Sequence, residues 1–163
     1  MEVILAVLFI AAGVGLDRIV KIWAEKTLAP VGSIPLWDGV FRLSYAENRG
    51  AAFSMFHGQR WFLIAVTGVV LVVLIVALVK NWIPKGMARW GAYCVAAGAI
   101  GNFIDRIARG YVIDLFDFYL INFAIFNVAD ILINVGGGLF ALWVLLGMIR
   151  EKKGESKRDV DNP

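Results

Sequence analysis

The chain has 163 residues, 60% of them apolar, and 16 Lys and Arg against 13 Asp and Glu give a formal net charge of +3. A soluble domain of this size would be roughly 45–50% apolar, so the composition excludes an ordinary soluble globule and points to one compact membrane domain. A single cysteine, Cys94, excludes an intrachain disulfide; with only one histidine, His57, a His/Cys metal site is not expected, nor is any cofactor. No basic stripe or aromatic platform in a polar setting suggests nucleic acid as a partner.

In chain order, Val3–Leu16 opens an apolar stretch that continues, with charges inserted, to Trp23. It lacks a basic n-region, and no small-x-small cleavage site precedes a soluble domain, so it reads as a retained span rather than a cleaved leader. Next, SIPLW (33–37) and VFRLSY (40–45) flank Asp38-Gly39, a hairpin turn pair, which predicts a small β element on the membrane surface. Trp61–Val79 is an uninterrupted apolar run. The connection KNWIPKGMAR (80–89) carries Lys80, Lys85 and Arg89 and no acid. Trp90–Ile104 is short and rich in small residues (Gly91, Ala92, Ala96, Ala97, Gly98, Gly101), which lets helices approach closely. Ile131–Met148 is the last apolar run, and EKKGESKRDVDNP (151–163) reads as a solvated tail.

A span needs roughly 20 mainly apolar residues. The expected fold is therefore an all-α membrane protein: a four-transmembrane-helix bundle with a small extracytoplasmic β element and an interfacial helix or lid. Residues 1–150 form the membrane domain, with spans at about 3–23, 61–79, 88–105 and 128–149 and extracytoplasmic segments 24–60 and 106–127; residues 151–163 form a cytoplasmic tail. The basic residues of the 80–89 connection and of the tail fall on one side, which the positive-inside rule makes cytoplasmic, with both termini. No internal repeat is evident, which argues against an inverted-repeat transporter.

Ionisable groups at a membrane edge are costly, so each is a functional hypothesis. Asp17, Lys21, Asn48, Asn102, Asp105, Arg106, Asp114, Asn127 and Asp130 all fall at one depth, near the outer boundary. Each has a structural explanation to weigh. Asp17 and Lys21 are a favourable i, i+4 pair. Asn127 caps the last span, and Asp130 suits the helix's positive end. Asp105-Arg106 reads as an interfacial charge pair, Asn48 before Gly50 as a turn, and Asp117 as a solvated neighbour. His57 reads as a loop residue and Cys94 as core filling. Asp114, between Ile113 and Leu115, is harder to explain structurally. The clustering of all of them outweighs the separate explanations.

Two close carboxylates in a partly dry site can share one proton, the ionised one activating water and the neutral one polarising a carbonyl. That is aspartic-protease chemistry. Zinc chemistry lacks an HExxH motif. A serine mechanism has only His57 as base, and no spacing favours Ser44 or Ser54 with Lys21.

The chain resembles lipoprotein signal peptidase (signal peptidase II) over residues 5–148, through DRIVK (17–21), ENRGAAFS (47–54), GAIGNFIDR (98–106), VIDLFDF (112–118) and FNVAD (126–130). The resemblance implies an aspartic endopeptidase of the bacterial inner membrane. Such an enzyme cleaves prolipoproteins before a diacylglyceryl-modified cysteine, in contact with membrane lipid, and is inhibited by globomycin. It implies Asp114 and Asp130 as the catalytic pair. Asp17, Lys21, Asn48, Gly50, Asn102, Asp105, Arg106 and Asn127 would bind substrate or support the pair. Leu115 and Ile131 depart from the family's usual Phe and its usual Ser or other small or polar residue, which bears on pocket shape. The hairpin would form a cradle over the site, and the 105–125 segment, with Tyr111, Phe116, Phe118 and Tyr119, an interfacial lid. Small residues in GAAFS (50–54) would leave room for substrate, and a monomer is expected. Two rivals remain: an ion or proton pathway through Asp17, Asp105, Asp114 and Asp130, and a scaffold whose polar cluster only ties helices together.

Overall fold

The computed structural model describes the backbone of residues 2–51 and 55–161, with side chains up to Glu151. Ala52, Phe53 and Ser54, from the stretch expected to leave room for substrate, lie outside the described residues.

The elements run α1 (Glu2–Thr27), β1 (Ser33–Trp37), β2 (Phe41–Asn48), α2 (Arg60–Val79), α3 (Met87–Ala108), β3 (Val112–Asp117), a 3-10 turn (Tyr119–Ile121) and α4 (Val128–Asp161). Three helices are long and apolar enough to cross a membrane: α1, α2, and α4 over Val128–Glu151. The backbone of α4 stays helical through Asp161, so the charged tail prolongs the helix. The fourth helix, α3, has 22 residues but ends in charged groups. It is the central helix, packed by α1, α2 and α4, and most of its residues are buried against them, with Trp90, Ile104 and Ile107 left exposed.

Small residues make that packing possible. A Cβ on Gly91 would lie 2.7 Å from the Gly136 carbonyl oxygen, and one on Gly98 would strike the Ala129 carbonyl oxygen. The α3 and α4 backbones therefore touch directly. Helix α2 ends where Asn81 turns left-handed (φ 56°) and Trp82 N–H reaches back to Ala77 O at 2.9 Å, a Schellman closure. At that end Glu2 pairs with Lys85 at 3.0 Å and Arg89 at 2.9 Å, tying the start of α1 to the α2–α3 turn. At the opposite end Arg60 donates to the Arg106 and Ile107 carbonyls at 2.8 and 2.7 Å, satisfying the last turn of α3.

The hairpin forms around Asp38-Gly39 as expected, with Gly39 at φ 78°. The sheet has a third strand that the sequence reading assigned to the lid: the order is β1-β2-β3, all antiparallel. Residues 105–125 thus form no single interfacial helix; the 3-10 turn is the only helical piece between α3 and α4 among the described residues. The reason is the alternation in VIDLFD, which buries Ile113 and Leu115 on one face against Ala24 and Leu28 at the end of α1. Each such apolar side chain contributes about 1.5–3 kcal/mol. The Tyr119 hydroxyl meets Gly39 N and Trp37 O, stitching this segment to the hairpin tip. An isolated bridge between Phe116 and Phe126 then clips the approach to α4 onto β3.

Candidate active site

Helix α4 begins with a reciprocal cap. Asn127 Oδ1 accepts the Asp130 N–H at 3.0 Å, and Asp130 Oδ2 accepts the Asn127 N–H at 3.1 Å, the capping-box pattern. Asp17 Oδ1 accepts the Ala129 N–H at 2.9 Å, so α1 satisfies another donor of the α4 start. The capping explanation and the site explanation of Asp130 therefore describe the same contacts.

The Phe116–Phe126 bridge brings Asp114 of β3 against this helix start. Asp114 Oδ1 accepts from Asn127 Nδ2 at 2.6 Å, and Oδ2 from Asn48 Nδ2 at 2.9 Å. Asn127 thus touches both carboxylates, one through its side chain and one through its backbone. Asp114 is 2% exposed. Burial first, and the Asp130 charge second, push its carboxyl from 3.8 up to about 7, against the pull of Asn48, Asn127 and Lys21. A carboxyl so placed holds a proton near neutral pH.

Behind the pair lies a buried ionic core. Lys21 is fully buried; it donates to Asn102 Oδ1 at 2.9 Å and forms ion pairs with Asp17 Oδ2 at 2.9 Å and Asp105 Oδ2 at 3.0 Å. Asn102 Nδ2 then donates to Asp130 Oδ1 at 2.7 Å. A Cβ on Gly101 would come within 2.6 Å of Asp17 Oδ2, so only glycine leaves room for this core.

Asp114 and Asp130 open on one cavity of about 320 Å³, shared with Asn48, Asn102, Arg106 and Asn134. Arg106 Nη2 donates to the Gly50 carbonyl at 2.8 Å, and Gly50 N–H donates to Asn48 Oδ1 at 2.9 Å, which locks the turn after β2. A second hollow reaches Asp114 from the side of Glu47 and Asn122. A groove continues from Asp130 along Leu63, Val66 and Ala99.

Of the ten residues singled out in the sequence, Asn48, Asn102, Arg106, Asp114 and Asp130 line the cavity. Asn127 bridges the carboxylates, Gly50 shapes the turn, and Asp17, Lys21 and Asp105 stand behind. Two expectations about charge change. Asp105 and Arg106 do not pair with each other: neighbours on a helix point about 100° apart, and Asp105 meets Lys21 and Arg18, the latter at 2.5 Å. Asp117 is not solvated; it is buried, bound by Arg42 at 2.7 Å and Ser44 at 3.1 Å. The occupied Ser44 and the fully engaged Lys21 do not meet, while Ser54 lies outside the described residues. Leu115 packs in the core and Ile131 is exposed, and neither lines the cavity. His57 is an exposed turn residue and Cys94 is buried in the core. Sequence reasoning missed Arg18, which carries no spacing signal. It also missed Asn134, whose signal was there: a polar residue four positions after Asp130 in an apolar run.

The Signal peptidase (SPase) II family matches residues 9–146. The lipoprotein signal peptidase of Lactococcus lactis subsp. lactis (strain IL1403) is 40% identical over 149 residues, covering 89% of this chain and 96% of that protein. That of Synechocystis sp. is 47% identical over 126 residues, covering 77% and 78%. A solved structure described as a bacterial membrane enzyme superposes with a TM-score of 0.80 at 26% identity, covering 88% of each chain. With a family match over most of its length and relatives this similar, the chain belongs to the signal peptidase II family.

Proposed function

We propose that this signal peptidase II, which removes the signal peptide from prolipoproteins, works through Asp114 and Asp130 as an aspartic dyad. The observation that carries the reading is their opening on one cavity with Asn127 bridging them. Asp114, with its carboxyl pushed up to about 7, holds the shared proton. Asp130, at the positive end of α4 and facing the Asn102 amide, is the base. Asp130 takes a proton from water while the hydroxide adds to the scissile carbonyl carbon, and Asp114 gives its proton to the carbonyl oxygen. The gem-diol then collapses. Asp130 passes its proton to the leaving nitrogen, a diol proton returns to Asp114, and the C–N bond breaks to give a carboxyl and an amine. The cut falls on the N-terminal side of the diacylglyceryl-modified cysteine.

The surrounding picture follows from the same reading. Helix α3 is the fourth span, shielded by the other three. Lys80, Lys85 and Arg89 lie at the end away from the cavity, which supports both termini facing the cytoplasm and a site at the outer leaflet of the bacterial inner membrane. There the dyad meets a lipid-modified cysteine held in that leaflet. The enzyme acts as a monomer in contact with membrane lipid, and globomycin blocks it by competing for the cavity. Asp17, Lys21, Asn48, Gly50, Asn102, Asp105, Arg106 and Asn127 hold the dyad and the substrate backbone.

The test is cleavage of a diacylglyceryl-modified prolipoprotein by purified wild type, Asp114→Asn and Asp130→Asn, with thermal stability recorded alongside. The expected result is folded, inactive variants. Retained cleavage by either removes that residue from the mechanism.

A further inference from the structure

Below Asp130, α4 runs through ILINVGGGLFALWVLLGM, where Asn134 and the Trp143 indole are the only hydrogen-bonding side chains. Asn134 lies one turn inward from Asp130, about 6 Å at 1.5 Å per residue, and lines the same cavity. It is exposed, so protein packing does not account for it. Its amide donates to the Asp130 carbonyl at 2.8 Å. That bond satisfies the donor side and leaves Oδ1 with no donor among the described residues. A bare amide oxygen at this depth costs free energy unless something supplies an N–H.

We propose that Asn134 is a substrate-binding residue, its Oδ1 accepting a backbone N–H of the signal peptide on the membrane side of the cut. The proposal rests on the peptidase reading above and adds a contact to it. A peptide whose scissile carbonyl lies at the carboxylates must leave its helical membrane segment and become extended inside the cavity. Each unwound residue then carries an N–H that lipid cannot satisfy. At about 3.3 Å per extended residue, a 6 Å descent reaches the second residue before the cut. Asn134 stands at that depth with an acceptor to offer, beside Ile133, and the adjoining groove is lined mainly by apolar side chains, with the Thr67 hydroxyl across it on α2. The contact is to the backbone, so it accepts varied side chains and favours an extended chain over a helical one.

The test uses the full chain in detergent and a lipopeptide carrying the diacylglyceryl cysteine. Its scissile amide is replaced by a methylene-amine, so that binding is read without turnover. Asn134→Leu is expected to raise Kd about tenfold, equivalent to 1.4 kcal/mol, and KM for the cleavable peptide alike, with kcat within about twofold. Asn134→Thr, which keeps an oxygen acceptor, stays within about threefold of wild type. N-methylation of the peptide backbone, scanned over the three residues before the cut, should weaken wild-type binding at one position and leave Asn134→Leu binding unchanged there. Equal Kd for wild type and Asn134→Leu overturns the proposal. So does additive loss from methylation and Asn134→Leu at every position, or a fall in kcat with unchanged KM. Cleavage retained by Asp114→Asn or Asp130→Asn would overturn the dyad instead, and the binding cycle would stand apart from it.

Discussion

Replacing Asp114 by Asn should make the protein more resistant to heat at alkaline pH while abolishing cleavage. The Asp114 carboxyl is pushed from 3.8 to about 7 in the folded chain. A group whose folded pKa is raised contributes stability in full below its unfolded pKa and loses it as pH rises through the folded one. The window is therefore about pH 4 to 7. Roughly three units at 1.36 kcal/mol each give a loss of about 4 kcal/mol by pH 8, an upper bound once the pair's coupling is allowed for. In Asp114→Asn that titration is gone, while every other ionisable group remains. At about 2–4 °C per kcal/mol for a chain of this size, the variant's Tm advantage should grow by up to about 8–16 °C between pH 4 and pH 8.

The assay is thermal unfolding of wild type and variant in one detergent across that range. At pH 4 the variant should be level with wild type or slightly worse, because an Asn amide faces two donors, from Asn48 and Asn127, where a carboxyl accepted both. Asp130→Asn serves as the control. It removes the second cause of the upward push, so the pH dependence of its own Tm should shrink. A Tm difference between wild type and Asp114→Asn that is constant from pH 4 to 8, or that moves in favour of wild type, refutes the reasoning about Asp114.

Lys21→Met should cost about 3–5 kcal/mol, because Asp17 and Asp105 are left buried without their shared cation; an unchanged Tm would show that the ionic core is not needed. Gly98→Ala should push the start of α4 away from α3 and lower both Tm and cleavage at least tenfold in rate, whereas Gly138→Ala, whose added methyl meets nothing within 4 Å, should stay within about 0.5 kcal/mol; equal effects at the two glycines refute the packing account. Leu115→Phe should destabilise by about 1–3 kcal/mol through overpacking against Ala24 and Leu28 and leave KM unchanged. A shifted KM would place Leu115 at the pocket after all.

Much of this fold was legible because its signals are local. Trp61–Val79 needs only its own apolar length to read as a helix that can span a membrane, and Asp38-Gly39 needs only turn chemistry to read as a hairpin tip. The third strand was not legible: VIDLFD has the alternation of a strand, but its partner β2 stands more than 60 residues earlier in the sequence and its buried face meets the far end of α1. A six-residue run between two helices gives no hint of either. The same distance hid the partners of charged residues. Asp17 with Lys21 could be read from spacing, whereas Arg18 with Asp105 joins residues 87 apart. Asp105 and Arg106, adjacent in sequence, suggested a pair that helix geometry forbids.

What sequence could not convey at all is how the amides around the carboxylates are oriented, and the contacts determine this without reference to function. Lys21 can only donate, so Asn102 must turn its oxygen to Lys21, which leaves Nδ2 to face Asp130. Asp130 N–H can only donate, so Asn127 must give it Oδ1, which leaves Nδ2 to face Asp114. Gly50 N–H likewise takes the Asn48 oxygen and leaves that amide's Nδ2 to Asp114. Three asparagines, each fixed by an obligatory donor on its far side, present N–H groups to the two acids. The buried lysine and the cap of α4 therefore set the orientation of the amides around both carboxyl groups. They hold the donors to Asp114 and Asp130 in place, so that the hydrogen-bonding partners of the two carboxyl groups cannot rotate away.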